Sequence, residues 1–213
     1  MTARIPSVAA GNKRGAEAEA RVGRILKVAQ RMFVEHGFHH TSLDDILARS
    51  GGSKATLRKY FGNKAGVLAA VLAAHAEAQV VDARLAVTTH DPESALAAFG
   101  KVLMSFYVQP DALIIYRSVI AEGYRHPVVA KGLYLGGHAR IVAGLASMLR
   151  EWREQGHVQS PDPDTDAEIF LNMLRSGAHE RGLLGLQKEF SPDAIRKHVA
   201  AVVRIFWRGI RSN

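Results

Sequence analysis

Between Thr41 and Lys64 the chain reads TSLDDILARSGGSKATLRKYFGNK, two apolar-periodic pieces of barely two turns each, hinged on Gly51-Gly52. Helices this short do not persist alone, because nucleation costs more than two turns return. They must lean on a longer partner, and one precedes them: Val22, Ile25, Leu26, Ala29 and Phe33 recur at helical spacing from about Glu17 to His36, where Gly37 ends the pattern. In the first short piece Thr41 or Ser42 caps, Asp44 and Asp45 sit in the positive first turn, and Leu43, Ile46 and Leu47 form the inner face. In the second, Ser53 caps and Leu57 and Phe61 turn inward, while Lys54, Ala55 and Arg58 share the outer face. A long helix followed by two short ones on a glycine turn is a helix-turn-helix, whose second helix fits a DNA major groove. The GGSK tetrapeptide lacks the residue order of a phosphate-binding loop.

The charge supports an anionic partner once it is located. The net charge is +8, and residues 1 to 64 hold 12 Lys/Arg against 5 Asp/Glu, whereas the remainder is nearly balanced with 16 against 15. A basic head on a neutral body is the footprint of a polyanion binder, the other reading being a solvated basic face. Residues 1–16 mix Gly, Pro and small residues without periodicity and read as a flexible basic arm. The chain has no cysteine, which excludes disulfides and thiolate chemistry. Its longest apolar run, AGVLAAVLAA, is far short of the ~20 residues that span a bilayer, and no signal-peptide core follows the basic start. The expected location is the cytoplasm, with no membrane partner.

The rest reads as all-α, giving about nine helices in total. A fourth helix runs from an Asn63 cap to about Val87, a fifth from Pro92 to about Val108, a sixth from Pro110 to about Arg125 and a seventh from Pro127 to about Gln155. An eighth covers about Asp166 to Leu186, and SPDA opens a ninth that presents Ile195, Val199, Val202, Val203, Phe206 and Ile210 as one wide stripe. With Phe170, Leu174 and Leu184 that stripe is suited to closing the chain's own core. Phe106, Tyr107, Tyr116, Tyr134, Met148, Trp152, Phe170 and Met173 are large or adaptable side chains on the fifth to eighth helices, each suited to a core. Arg117 and His179 stand near them as polar outliers, suited to orienting a ligand or to a structural ion pair. No HExxH, G-x-S-x-G or G-x-G-x-x-G constellation is present, so no catalytic, metal or cofactor site is expected.

From Ile25 to about Leu72, the pattern A-x-x-x-F-x-E-x-G-F-x-x-T-S at Ala29–Ser42 and the run GGSKATLRKYFGNKAGVLAAVL resemble the DNA-binding domain of the TetR family of bacterial regulators. The segment DALIIYRSVIAEGYRHP, followed by a long helix, is similar to the AefR-like branch. The resemblance implies a helix-turn-helix domain over 17–64 and an effector-binding and dimerisation domain over 65–213. It implies phosphate contacts from Thr41, Ser42, Ser53, Thr56, Lys59, Tyr60 and Lys64, and base contacts from Lys54, Ala55 and Arg58. Arg58 departs from the family's usual tyrosine, and its guanidinium suits either guanine O6 and N7 or a phosphate. The remaining implications are an effector cavity among the aromatic residues above, and a homodimer on a palindromic double-stranded operator, joined through Phe170, Leu174, Leu184, Val199, Val202, Val203, Phe206 and Ile210. Function is then expected to be ligand-responsive repression, the alternatives being activation or co-repression, or a helical ligand-binding protein or enzyme.

Overall fold

A computed structural model describes residues 13–212. Its helices are α1 (Lys13–His40), α2 (Leu43–Ser50), α3 (Lys54–Phe61), α4 (Lys64–Leu85), α5 (Pro92–Tyr107), α6 (Pro110–Gly123) and α7 (Pro127–Leu133). A π-helical turn, Tyr134–His138, precedes α8 (Ala139–Glu154), α9 (Pro163–Arg175), α10 (Ala178–Leu183) and α11 (Pro192–Ile210). Among the described residues the only β pairing is an isolated bridge between Val158 and Arg211, and no helix is long and apolar enough to cross a membrane.

The chain divides into two compact units, one holding the residues up to His75 together with Ile114–Gly136, the other Ala76–Leu113 and Gly137 onward. In the first, Ile25, Phe33, Ile46 and Leu57 are sealed by Val67 and Leu68 of α4, by Ile115 and Val119 of α6, and by Val129 of α7. The helix-turn-helix unit is therefore completed by residues from the middle of the chain. The division differs from the expected boundary at residue 64 because half of α4 and most of α6 bury their apolar faces against the head. In the second unit Leu96, Phe99 and Leu103 of α5 pack with Leu145 and Leu149 of α8, Phe170 and Leu174 of α9, and the inner stripe of α11.

Several expectations change. The arm over 1–16 falls mostly outside the described residues, but Lys13–Ala16 already belong to α1. The eighth expected helix is broken after Arg175, where Gly177 takes a φ of 67° and separates α9 from α10. That backbone suits glycine, and the flanking apolar residues disguise the break as one amphipathic run. The seventh loosens into the π turn, and nearby a Cβ on Gly132 would lie 2.6 Å from the Ala69 Cβ and one on Gly136 2.9 Å from the Ala73 Cβ. Of the eight residues expected to join two copies, seven are buried within the chain itself: Phe170, Leu174, Val199, Val202, Val203, Phe206 and Ile210, with only Leu184 exposed. The Phe170 and Phe206 rings meet at 4.9 Å, so the wide stripe closes the second unit's own core.

Candidate nucleic-acid interface

Chain entry into the helix-turn-helix is fixed before any partner arrives. Gly37 leaves the helical region at the end of α1. Thr41 then turns inward, 1% exposed, with its hydroxyl directed at the Gly37 carbonyl (2.8 Å) and the Met32 carbonyl (3.2 Å). Ser42 caps α2 through a capping box, its hydroxyl 2.5 Å from Asp45 Oδ2 and accepting from the Asp45 amide at 3.1 Å. Hydrogen bonds from the Ser42 hydroxyl and amide hold the Asp45 carboxyl below the usual carboxylate range. The α2 N-terminus thus already faces its own carboxylate, leaving the Thr41 hydroxyl engaged inside and that of Ser42 spent on the cap.

On α3, Ser53 accepts from the Thr56 amide at 3.1 Å, with the two hydroxyl oxygens 3.0 Å apart. Leu57 and Phe61 are buried, and Lys54, Ala55, Arg58 and Lys59 are exposed. The spacing argument places the outer face where the structure has it. One feature escaped that argument: Lys54 Nζ lies 2.9 Å from the Asp44 carboxylate across the glycine turn. Breaking such an exposed pair costs little. Arg58 borders the same groove of about 250 Å³ between α2 and α3, and Lys59 and the half-buried Tyr60 follow, the ammonium 5.8 Å from the ring.

Lys64 opens α4, and its ammonium is already engaged within the chain. Its ammonium donates to the Phe38 carbonyl at 2.6 Å and the His39 carbonyl at 3.3 Å, and lies 4.4 Å from the Phe38 ring centre. Burial lowers its pKa, and the charge of Glu122 opposes that shift. Two of its three donors tie α4 to the end of α1, leaving a third for another acceptor. Asn63 caps α4 by accepting from the Gly66 amide at 2.9 Å. Gly66 is forced by proximity, since a Cβ there would sit 1.8 Å from the Phe61 carbonyl oxygen.

The expected effector residues fall in both units. Tyr116, Arg117 and Tyr134 belong to the first unit and the others to the second. Phe170 is core, Phe106, Tyr107 and Met173 are half-buried, and Met148 and Trp152 border a groove of about 250 Å³ with Arg84, Thr89, His90 and Glu151. His179 is buried, its ring 5.6 Å from that of Tyr107, while the Arg175 guanidinium lies 5.9 Å from the Tyr107 ring centre. Burial first, and the Arg175 charge second, push the His179 pKa down from 6.5 to about 4.

The unfolded chain therefore binds the His179 proton more readily than the folded one. The stability from keeping this imidazole neutral is complete above pH 6.5 and is lost as pH falls towards 4. Between pH 7 and 4.5 the wild-type chain should lose about 2 kcal/mol more stability than a His179→Gln variant. Urea titrations at the two pH values check this, and equal losses would show that the imidazole is as easily protonated folded as unfolded. Among the described residues no cluster of His, Asp and Glu is arranged to hold a metal ion.

Comparison with known proteins agrees with this geometry. Residues 25–71 match the model of bacterial regulatory proteins of the tetR family, and residues 94–209 match that of the AefR-like transcriptional repressor C-terminal domain. The HTH-type transcriptional activator FasR of Mycolicibacterium smegmatis is 35% identical over 101 residues, 46% of each chain, so the match spans under half of that relative. The HTH-type transcriptional regulator UidR of Escherichia coli K12 is 27% identical over 70% of this chain and 74% of its own. Among solved structures, a TetR-family regulator from Mesorhizobium loti superposes with a TM-score of 0.82 at 22% identity, covering 92% of this chain and 98% of that one. The flavonoid-responsive regulator FrrA gives 0.73 at 26% identity, covering 91% and 98%.

Proposed function

The chain belongs to the TetR family of bacterial DNA-binding transcriptional regulators, with an AefR-like C-terminal domain, and on that premise we propose that it is a homodimeric repressor that releases a palindromic operator on binding a small molecule. The observation that carries the reading is the exposed α3 face of Lys54, Ala55 and Arg58, backed by the buried Leu57 and Phe61 and presented on a basic head. Lys54 and Arg58 read base edges, Ala55 packs on a thymine methyl, and Ser53, Thr56, Lys59, Tyr60 and the remaining donor of Lys64 meet phosphates. Two such heads engage successive major grooves only as a dimer. The apolar residues left exposed on the second unit, Ile169 of α9, Leu184 and Leu186 after α10, and Ile205 of α11, supply the surface for it. A ligand that reshapes the second unit acts on α4 and α6, since both helices also contribute residues to the first.

Selection of bound DNA from a random pool, followed by gel shifts against heparin, tests the reading; failure to enrich any sequence would leave only a generic polyanion binder. With the operator in hand, Arg58→Ala should relax preference at one position in each half-site, at a cost of about 1–3 kcal/mol. An unchanged preference profile with uniformly weaker binding would make Arg58 a phosphate contact instead. Activation is the second reading, favoured by the description of FasR as an activator. A reporter driven from the operator separates the two by the sign of its response.

A further inference from the structure

Among the described residues Glu122 is the one acid buried in the first unit, and the positions proposed for base and phosphate contacts give it no task. It lies on α6, 3% exposed, among the apolar residues Ile115, Val119 and Val129 that seal the head. Its Oε1 is 2.9 Å from His39 Nε2, and its Oε2 is 3.6 Å from His126 Nε2. The charge of Glu122 is also felt by the Lys64 ammonium, which itself holds the Phe38 and His39 carbonyls. The α1–α2 corner is thereby gripped twice, at its backbone by α4 and at the His39 side chain by α6. That corner ends at Thr41 and at the Ser42 cap of α2, the entry to the helix-turn-helix.

A carboxylate in this position is a poor device for stability. Desolvating it costs several kcal/mol, and buried ionic groups can often be replaced by apolar ones without loss. Moreover, Oε1 has no aligned hydrogen-bond donor despite the short approach of His39. The His39 contact is a close approach rather than a well-aligned hydrogen bond. The His39 imidazole is itself largely exposed, with 67% of its side chain accessible, so its pairing does not seal the core.

We infer that Glu122 is a positioning residue for DNA binding: through His39 it lets α6 set the α1–α2 corner, and with it the presentation of α2 and α3 to the operator. This rests on the operator-binding reading above, and it adds α6 as a second determinant of head geometry beside α4.

Three variants test it in the full-length chain: Glu122→Gln, which keeps shape and removes charge; Glu122→Met, which replaces the carboxylate by an apolar group; and His39→Ala, whose exposure spares the fold. Each should retain wild-type helicity and bind the selected operator about 10-fold more weakly, the double variant Glu122→Gln/His39→Ala no worse than the weaker single, because the two residues act as one contact. Hydrogen exchange, which needs no DNA, should quicken at the amides of residues 38–42 in all three. Unchanged exchange at the corner overturns the inference even if no operator is found, in which case the DNA-binding reading fails separately. Faster exchange with wild-type operator affinity also overturns it, reducing Glu122 to a local structural contact, and so do strictly additive losses in the double variant.

Discussion

Gly66→Ala should destabilise the DNA-binding head by about 3 kcal/mol and abolish operator binding, although glycine-to-alanine inside a helix ordinarily gains close to 1 kcal/mol. The sign reverses because the added methyl would meet the Phe61 carbonyl oxygen at 1.8 Å, and that atom is backbone at the C-terminal end of α3, not a side chain that can swing away. Relief requires α3 to withdraw from α4. That movement unseats Phe61 and Leu57 from the core and carries Arg58 with them, so stability and recognition fall together. Thermal unfolding and gel shifts on the variant check this; a Tm at or above that of the wild-type chain would mean that α3 and α4 are joined less tightly than their geometry indicates.

Ile205→Glu should leave each chain folded yet separate the proposed dimer, lowering operator affinity by about 10²–10⁴-fold as the second half-site ceases to add to the first. Ile205 is 57% exposed on α11, so the carboxylate is harmless in a lone chain, but it enters a proposed seam where burial of an unpaired charge costs several kcal/mol. The adjacent Phe206, 6% exposed, gives the contrast: Phe206→Asp should unfold the second unit instead of dissociating it. Sedimentation and far-UV circular dichroism separate the two outcomes. An Ile205→Glu chain that sediments as wild-type dimer would move the interface off this face of α11.

The contrast between Ile205 and Phe206 marks what the sequence discloses. Local chemistry was legible: the Ser42, Ser53 and Ser191 caps, the glycine turn of the helix-turn-helix, and the outer face of Lys54, Ala55 and Arg58 all follow from spacing and side-chain type. Which side of a broad apolar stripe meets the chain's own core depends on where α5 and α9 lie, and periodicity does not carry that information. Phe206, Val203 and Val199 consequently read equally as core or seam, and the structure buries them in the core. The α9–α10 break was hidden because Ala178 and Gly182 preserve the helical rhythm across Gly177. Lys64 was legible as a cation at a helix start, but its bonds to Phe38 and His39 join residues far apart in sequence. Glu122 left no signal at all, since an isolated glutamate on an amphipathic helix reads as solvated.

Because Ile115, Val119 and Val129 complete the core around Ile25, Phe33 and Ile46, the recognition module is discontinuous along the chain. A fragment cut after His75 would leave the apolar faces of α1 and α4 uncovered, and should be a sticky, loosely packed species rather than a miniature regulator. On the ribosome the same topology delays completion: the amino-terminal residues emerge first, yet their core waits for α7 to be synthesised. Until then the basic head has its charge but not its shape, and the surface it offers to an operator waits for α7 to close its core.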